Sequence, residues 1–166
     1  NAILYTDHVL ATLIGRLLEA ANAAGKPVIV DPKGNDYSVY RGATMVTPNR
    51  KELSEAVRRE AKDDGEVAAA ASEFRQSLGC DAVLVTRSEE GMTLYSAAGR
   101  MHVAGAAREV YDVSGAGDTV IATLGAMLAA GEPLDAAVRF ANRAAGIVVG
   151  KFGTAVVQPA ELFAGE

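Results

Sequence analysis

The chain has 166 residues, 49% of them hydrophobic and 22% charged, with a net charge of −5, which allows one domain with a sizeable core of ordinary globular composition. The absence of a Lys/Arg run argues against a nucleic-acid groove, and no apolar stretch reaches the length of a membrane span. A lone cysteine, Cys80, excludes an internal disulfide and a paired-cysteine zinc site, and His8 and His102 lie far apart in sequence, so a histidine-based metal site is not expected either.

In chain order, Ala2 to Thr6 is apolar and reads as a buried strand, so the chain reads as a piece that begins inside a strand. Leu10, Leu13, Ile14, Leu17, Leu18 and Ala21 then recur at helical spacing, with Gly25 just past the stop. Pro27 to Asp31 is a short β-branched run, predicted as a buried strand, and Thr44 to Val46 is another. Thr47-Pro48 ends that strand, and Asn49 can cap a helix through Val57. Val67, Ala70, Ala71, Phe74 and Leu78 mark the next helix, and Ala82 to Thr86 the clearest strand. Met92 to Ser96 and Arg100 to Ala104 read as a hairpin turning at Ala98-Gly99. Two helices close the chain, Thr119 to Ala130 and Leu134 to about Gly150.

Strands alternate with helices over the first half, which predicts an α/β fold with a parallel sheet covered on both faces. Ligands bind such sheets beyond the carboxyl ends of the strands. The segments there are polar: Asp7-His8, Asp31-Pro32-Lys33-Gly34, Thr47-Pro48-Asn49 and Thr86-Arg87-Ser88.

Five stretches can carry chemistry. In Asp112-Val-Ser-Gly-Ala-Gly-Asp118, small residues leave the N–H groups of a helix start bare, an anion cradle. Asp118 there either stabilises the helix dipole or accepts a proton from an attacking hydroxyl. Asn49 and Glu52, three apart on one helical face, form a capping box or hold a hydrated Mg²⁺. Lys33 is either a solvated loop lysine or a group that reaches a phosphate. Thr86, Ser88 and Gly91 line either an ordinary polar loop or a nucleotide. Asn142 lies in a small-residue helix that suits helix packing or a flat ring. Cys80 and His8 read as structural, Arg108 and Arg143 as surface charges.

Taken together these motifs are similar to those of the PfkB, or ribokinase-like, carbohydrate kinases. DVSGAGD resembles the signature D-[TV]-x-G-A-G-D, TPNRKE the N-x-x-E motif after a T-P turn, and TRSEEGM the T-x-[GS]-x-x-G nucleotide loop, all in family order. The resemblance runs from about Leu4 to Leu162, and within the family it is narrowest to kinases of heptose 7-phosphate on the route to lipopolysaccharide heptose. It implies a ribokinase-like α/β/α fold with a mostly parallel sheet, one domain over residues 1–166 lacking the amino-terminal part and its lid. It implies Asp118 as catalytic base and the N–H groups of Gly115, Ala116 and Gly117 as the hole for the transferred phosphoryl. Asn49 and Glu52 would organise Mg²⁺ through water, and Lys33 would approach the phosphates. Thr86, Ser88, Gly91 and Asn142 would line the ATP site. Asp112 and Ser114 would belong to a site for a monovalent cation such as K⁺, with Val149 and Phe152 nearby. The resemblance implies ATP, a phosphorylated sugar and an amino-terminal kinase half as partners; exposed sheet edges would invite pairing with a second copy in a homodimer, and the composition points to neither nucleic acid nor membrane and to the cytoplasm. The glycine-rich first signature of the family is absent, and Asp7-His8-Val9 departs from the Asp-Tyr and Lys-Gly usual in the heptose kinases. Other readings are a PfkB kinase for ribose or a fructose phosphate, a nucleotide-binding fragment inactive on its own, and a flavodoxin-like receiver domain.

Overall fold

A computed structural model describes residues 2–34, 36–106 and 110–163, with side chains from Leu10 onward. The first element is a helix, α1, over Ala2–Ala23. This corrects the strand expected at Ala2 to Thr6. A short apolar run does not distinguish strand from helix, and no glycine or proline stands between Ala2 and Gly15. Once the periodic segment from Leu10 nucleates a helix, extension backwards through alanine and leucine adds one hydrogen bond per residue fixed. Asp7-His8 therefore does not follow a strand. The His8 side chain and Arg108 lie outside what the structure describes.

The strands are β1 (Ile29–Val30), β2 (Met45–Val46), β3 (Ala82–Thr86), β4 (Met92–Ser96) and β5 (Gly99–Val103). They lie in one sheet in the order β1-β2-β3-β4-β5. β1 pairs with β2 and β2 with β3 in parallel, in the register Ile29 to Met45 and Met45 to Ala82. β4 and β5 are joined by a turn at Ala97 and Ala98, a link only antiparallel neighbours can make. The sheet is therefore mixed. The hairpin turns one residue earlier than expected, because Gly99 is already the first residue of β5, at φ +118°. Between the strands stand α2 (Arg50–Val57) and α3 (Asp64–Leu78), and after them α4 (Ala116–Ala129), α5 (Leu134–Val149) and the single-turn α6 (Pro159–Leu162). No helix among the described residues is long and apolar enough to cross a membrane.

The chain divides into two units, Asn1–Val85 with Tyr95–Gly99, and Thr86–Leu94 with Arg100–Glu166. The core of the first gathers Leu18 from α1, Val46 from β2, Leu53 from α2, Val67, Phe74 and Leu78 from α3, and Val83 and Val85 from β3. Phe74 meets the Tyr37 ring edge-on at 5.6 Å. Each fully buried Leu or Phe contributes about 1.5–3 kcal/mol. Ala82 through Val85 are all buried, the continuous apolar pattern of a strand covered on both faces. Cys80 is buried too, and desolvation raises its thiol pKa, so it is a structural thiol. In the second unit α4 packs on α5, with Val120, Leu124, Ala137, Val138, Ala141 and Val148 buried. Lys151 ties the chain end down, its Nζ donating to Glu161 Oε2 at 2.7 Å and to the Val156 carbonyl at 3.0 Å.

Candidate functional site

In the first unit the polar residues after β1 and β2 meet. Asn49 caps α2: its Oδ1 accepts from the Glu52 N–H at 2.9 Å, and Glu52 Oε2 accepts from the Asn49 N–H at 2.8 Å. The capping box expected from the sequence is thus present. The other oxygen, Glu52 Oε1, accepts from Lys33 Nζ at 2.7 Å, and Asp31 accepts from the same ammonium at 3.3 Å. The Glu52 carboxylate, and after it Asp31, raises the Lys33 pKa. Lys33 is held further back along the chain by its own N–H, which donates to Tyr40 Oη at 3.1 Å, while that hydroxyl donates to the Lys33 carbonyl at 2.9 Å. Lys33, Asn49 and Glu52 therefore form one cluster. Among the described residues no group of three or more acidic, His or Cys side chains gathers as a metal cage. Mg²⁺ dehydrates reluctantly and is commonly held through one or two carboxylates and its own waters; Glu52 and Asp31, both on Lys33, are the carboxylates of this cluster.

In the second unit a cavity of about 340 Å³ is lined by Thr86, Ser88, Gly91, Ala116, Gly117 and Asn142, among others. Most of its wall is apolar and small-sided: Val110, Val113, Val120, Ala145, Gly146 and Val149. Its size and character are those of a small-molecule pocket. Three motifs far apart in sequence are brought together there. The loop after β3 is a one-turn 3-10 helix, Ser88–Glu90. Ser88 has φ +53°, and Gly91 has φ +89° with ψ −129°. The first costs a non-glycine residue roughly 1 kcal/mol or more; the second is glycine territory. A Cβ on Gly91 would lie 2.1 Å from the Val103 carbonyl oxygen, so side chains are barred there. Asn142 is buried, its Nδ2 donating to the Ala104 carbonyl at 2.8 Å, which ties α5 to the chain leaving β5.

The second motif builds the mouth of α4. Asp112 Oδ1 accepts from the Ser114 N–H at 2.8 Å, an Asx turn. That N–H and the Ser114 hydroxyl, with the Gly153 N–H adding a little, lower the Asp112 pKa. Gly115 then takes φ +77° as the N-cap, with no side chain capping the helix. The chain before it is fixed by the Val149 carbonyl, which accepts from the Tyr111 and Asp112 N–H groups at 2.8 and 3.3 Å. Gly117 and Asp118 are exposed on the first turn. The Ala116 N–H donates to the Val113 carbonyl at 3.2 Å, so of the three donors expected it is already engaged. Phe152 is 82% exposed and stacks at a tilt on Tyr111, 4.9 Å between centroids.

Gly105 was not singled out by the sequence reading. It also lines the cavity, and a Cβ there would lie 2.2 Å from the Glu89 carbonyl oxygen. A glycine directly after the expected strand Arg100 to Ala104 is the available signal for such close backbone approach.

The family model of pfkB family carbohydrate kinases matches residues 4–161. The chain is 58% identical over 160 residues to the bifunctional protein HldE of Paramagnetospirillum magneticum, covering 95% of this chain and 33% of that protein. It is 54% identical over 168 residues to the D-beta-D-heptose 7-phosphate kinase of Bordetella bronchiseptica, covering 100% of this chain and 53% of that one. Among solved structures, phosphofructokinase-2 from Escherichia coli in complex with potassium superposes with a TM-score of 0.81 at 27% identity, over 90% of this chain and 49% of that chain. Arabidopsis thaliana ribokinase complexed with ribose and ATP superposes with a TM-score of 0.79 at 26% identity, over 86% and 47%. The chain thus spans about a third to a half of the relatives it matches.

Proposed function

The chain belongs to the pfkB family of carbohydrate kinases, and from that membership we propose that it carries the nucleotide site and catalytic base of an ATP-dependent heptose 7-phosphate kinase making the 1,7-bisphosphate. The observation that carries the reading is the convergence of Thr86, Ser88 and Gly91, of Ala116 and Gly117, and of Asn142 on one cavity. The relatives' names supply the substrate class: the protein from Bordetella bronchiseptica is named for heptose 7-phosphate.

Phosphoryl transfer asks the protein for position and for neutralisation of spreading negative charge. The uncapped mouth of α4 offers fixed N–H dipoles at Gly115 and Gly117, with that of Ala116 joining once it leaves Val113. Asp118, on the same turn, takes the proton of the acceptor hydroxyl. The hydroxyl oxygen then bonds to the γ-phosphorus, the bond from that phosphorus to the β,γ-bridging oxygen breaks, and ADP leaves. The greasy body of α4, anchored through Val120 and Leu124, holds dipoles and base on a rigid element. Asn49 and Glu52 would hold Mg²⁺ through its waters, and that ion would supply countercharge to the phosphates. Lys33, already paired with Glu52, would turn to a phosphate oxygen. Asp112 and the carbonyls beside it offer the oxygen donors a monovalent cation takes. The cytoplasm, a homodimer and an amino-terminal sugar-binding half complete the reading.

Replacing Asp118 with Asn tests it. In the full-length protein, kcat should fall by roughly 10²- to 10⁴-fold, the range for a lost general base. Affinity for a non-hydrolysable ATP analogue, read by calorimetry, should stay within about twofold of wild type. Turnover retained in Asp118→Asn, or nucleotide binding lost with it, would overturn the assignment.

A further inference from the structure

The loop that forms one wall of the cavity does not hold its own shape. Ser88 sits in the left-handed region and Gly91 in a conformation open only to glycine. Such backbone persists only where its surroundings over-determine it. Two things do so here. One is the close approach of Gly91 to the Val103 carbonyl and of Gly105 to the Glu89 carbonyl. The other is Arg87, a residue of the loop that does not line the cavity.

The Arg87 side chain is 5% exposed, among the most deeply buried charges described. Its guanidinium donates through Nη2 to Glu90 Oε2 at 2.5 Å, three residues on in the same loop. Through Nη1 it donates to Thr93 Oγ1 on β4, at 3.4 Å. Thr93 is itself fully buried, and its hydroxyl is 2.9 Å from Nδ1 of His102 on β5. The Thr93 hydroxyl serves both contacts, its oxygen accepting from Arg87 while it shares a hydrogen bond with the His102 ring. The Arg87 backbone closes the loop, its N–H donating to the Gly91 carbonyl at 2.8 Å. One planar fork thus joins the outer half of the loop to the two strands of the hairpin. A guanidinium does this and an ammonium does not, because the fork has two fixed directions.

We propose that Arg87 is a positioning residue for nucleotide binding: its buried guanidinium, bridging Glu90 to Thr93 and on to His102, keeps Ser88 to Gly91 in the strained form that shapes the cavity. This rests on the reading of that cavity as the nucleotide site. Loss of the bridge lets Ser88 relax towards ordinary backbone, and the nucleotide then has to restore the loop as it binds. The cost falls on binding, while Asp118 and the mouth of α4 are untouched.

The test uses the full-length protein with the variants Arg87→Met and Arg87→Lys. Arg87→Met should raise the KM for ATP, and the Kd for a non-hydrolysable analogue with Mg²⁺, by about tenfold, the loss expected with a hydrogen bond to a charged group. At saturating ATP its kcat should stay within about threefold, and the KM for the sugar phosphate should not move. Arg87→Lys should recover part of the affinity, since charge returns without the fork. A purely structural role would lower the melting point without this split. Should Arg87→Met fail to fold, Thr93→Val decides, because it cuts the bridge at a near-isosteric position: a raised Kd supports the proposal and a wild-type Kd overturns it. A folded Arg87→Met that binds the analogue as wild type does overturns it as well. Absence of binding by the wild-type protein would instead overturn the functional reading beneath it.

Discussion

Tyr37 shows how one residue links core packing to pH. Its ring lies in the first unit's core against Phe74, and its hydroxyl donates to Glu55 Oε2 at 3.4 Å. Desolvation, and then the Glu55 charge, pushes the phenol from 10.0 up to about 12. The folded pKa lies above the unfolded one. The stabilisation from keeping the phenol neutral is therefore complete below pH 10 and is lost as pH rises towards 12. Tyr37→Phe cannot ionise, so its urea midpoint should fall less steeply between pH 10 and 12 than that of the wild type. Parallel falls in the two proteins would show that Tyr37 does not carry the alkaline transition. The same scale holds what the sequence concealed. Ser88 and Gly91 were legible as members of a nucleotide-loop motif, but the partners of Arg87 were not. Its bridge to Thr93 and His102 forms only when a hairpin folds back on the loop, and no spacing in the sequence states that contact. That Ala116 has its N–H taken by Val113 was hidden for the same reason: a turn's hydrogen bonds follow from its dihedrals, not from its composition.

At the scale of elements, the cap that Asn49 forms can be separated from the ion-ordering role proposed for it. Asp63 caps α3 with the same box, its Oδ1 accepting from the Glu66 N–H at 2.8 Å, and it has no functional assignment. Asp63→Ala should therefore cost about 1 kcal/mol in chemical denaturation and leave nucleotide affinity alone. Asn49→Ser keeps a good cap, so its denaturation midpoint should stay close to wild type. If Asn49 also orders the ion and its waters, the Mg²⁺ concentration needed for half-maximal turnover should rise several-fold in Asn49→Ser. An unchanged Mg²⁺ dependence would leave Asn49 as a cap alone. Elements with strong local punctuation were the legible ones: Asn49 and Glu52 at the start of α2, and the unbroken apolar run of β3. Ala2 to Thr6 misled because strand and helix differ there only in context. β1 and β2, two residues each in the sheet, are shorter than the runs that announced them. Pairing, which the sequence does not show, decides where a strand ends.

At the scale of the molecule, the chain spans 33% of one relative and 53% of another, while the cavity is lined wholly by residues of a single unit. Those two facts set apart what these 166 residues can do alone from what needs more chain. The proposed nucleotide cavity draws on the loop after β3, the mouth of α4 and Asn142, all of which belong to that unit. Transfer asks also for a sugar phosphate held in line with the phosphoryl group. We therefore expect the isolated chain to bind a non-hydrolysable ATP analogue with Mg²⁺ at micromolar to millimolar strength, and to show no turnover of heptose 7-phosphate. Ligand at one hundred times its Kd stabilises the folded state by about 2.7 kcal/mol. For a chain of this length that raises the melting temperature by roughly 5–10 °C. Adding K⁺ should lower the Kd further if the carboxylate of Asp112 and the carbonyls beside it take up the cation, because the Asx turn at Asp112 sets the backbone that leads into Gly115. A shift in melting temperature that K⁺ enlarges and Na⁺ does not would support both the cavity and the cation site. A chain that melts cooperatively, yet neither binds nor shifts at millimolar analogue, would mean that the cavity gains its nucleotide contacts only with further chain around it. Nucleotide binding would then be a property of the longer protein rather than of this unit.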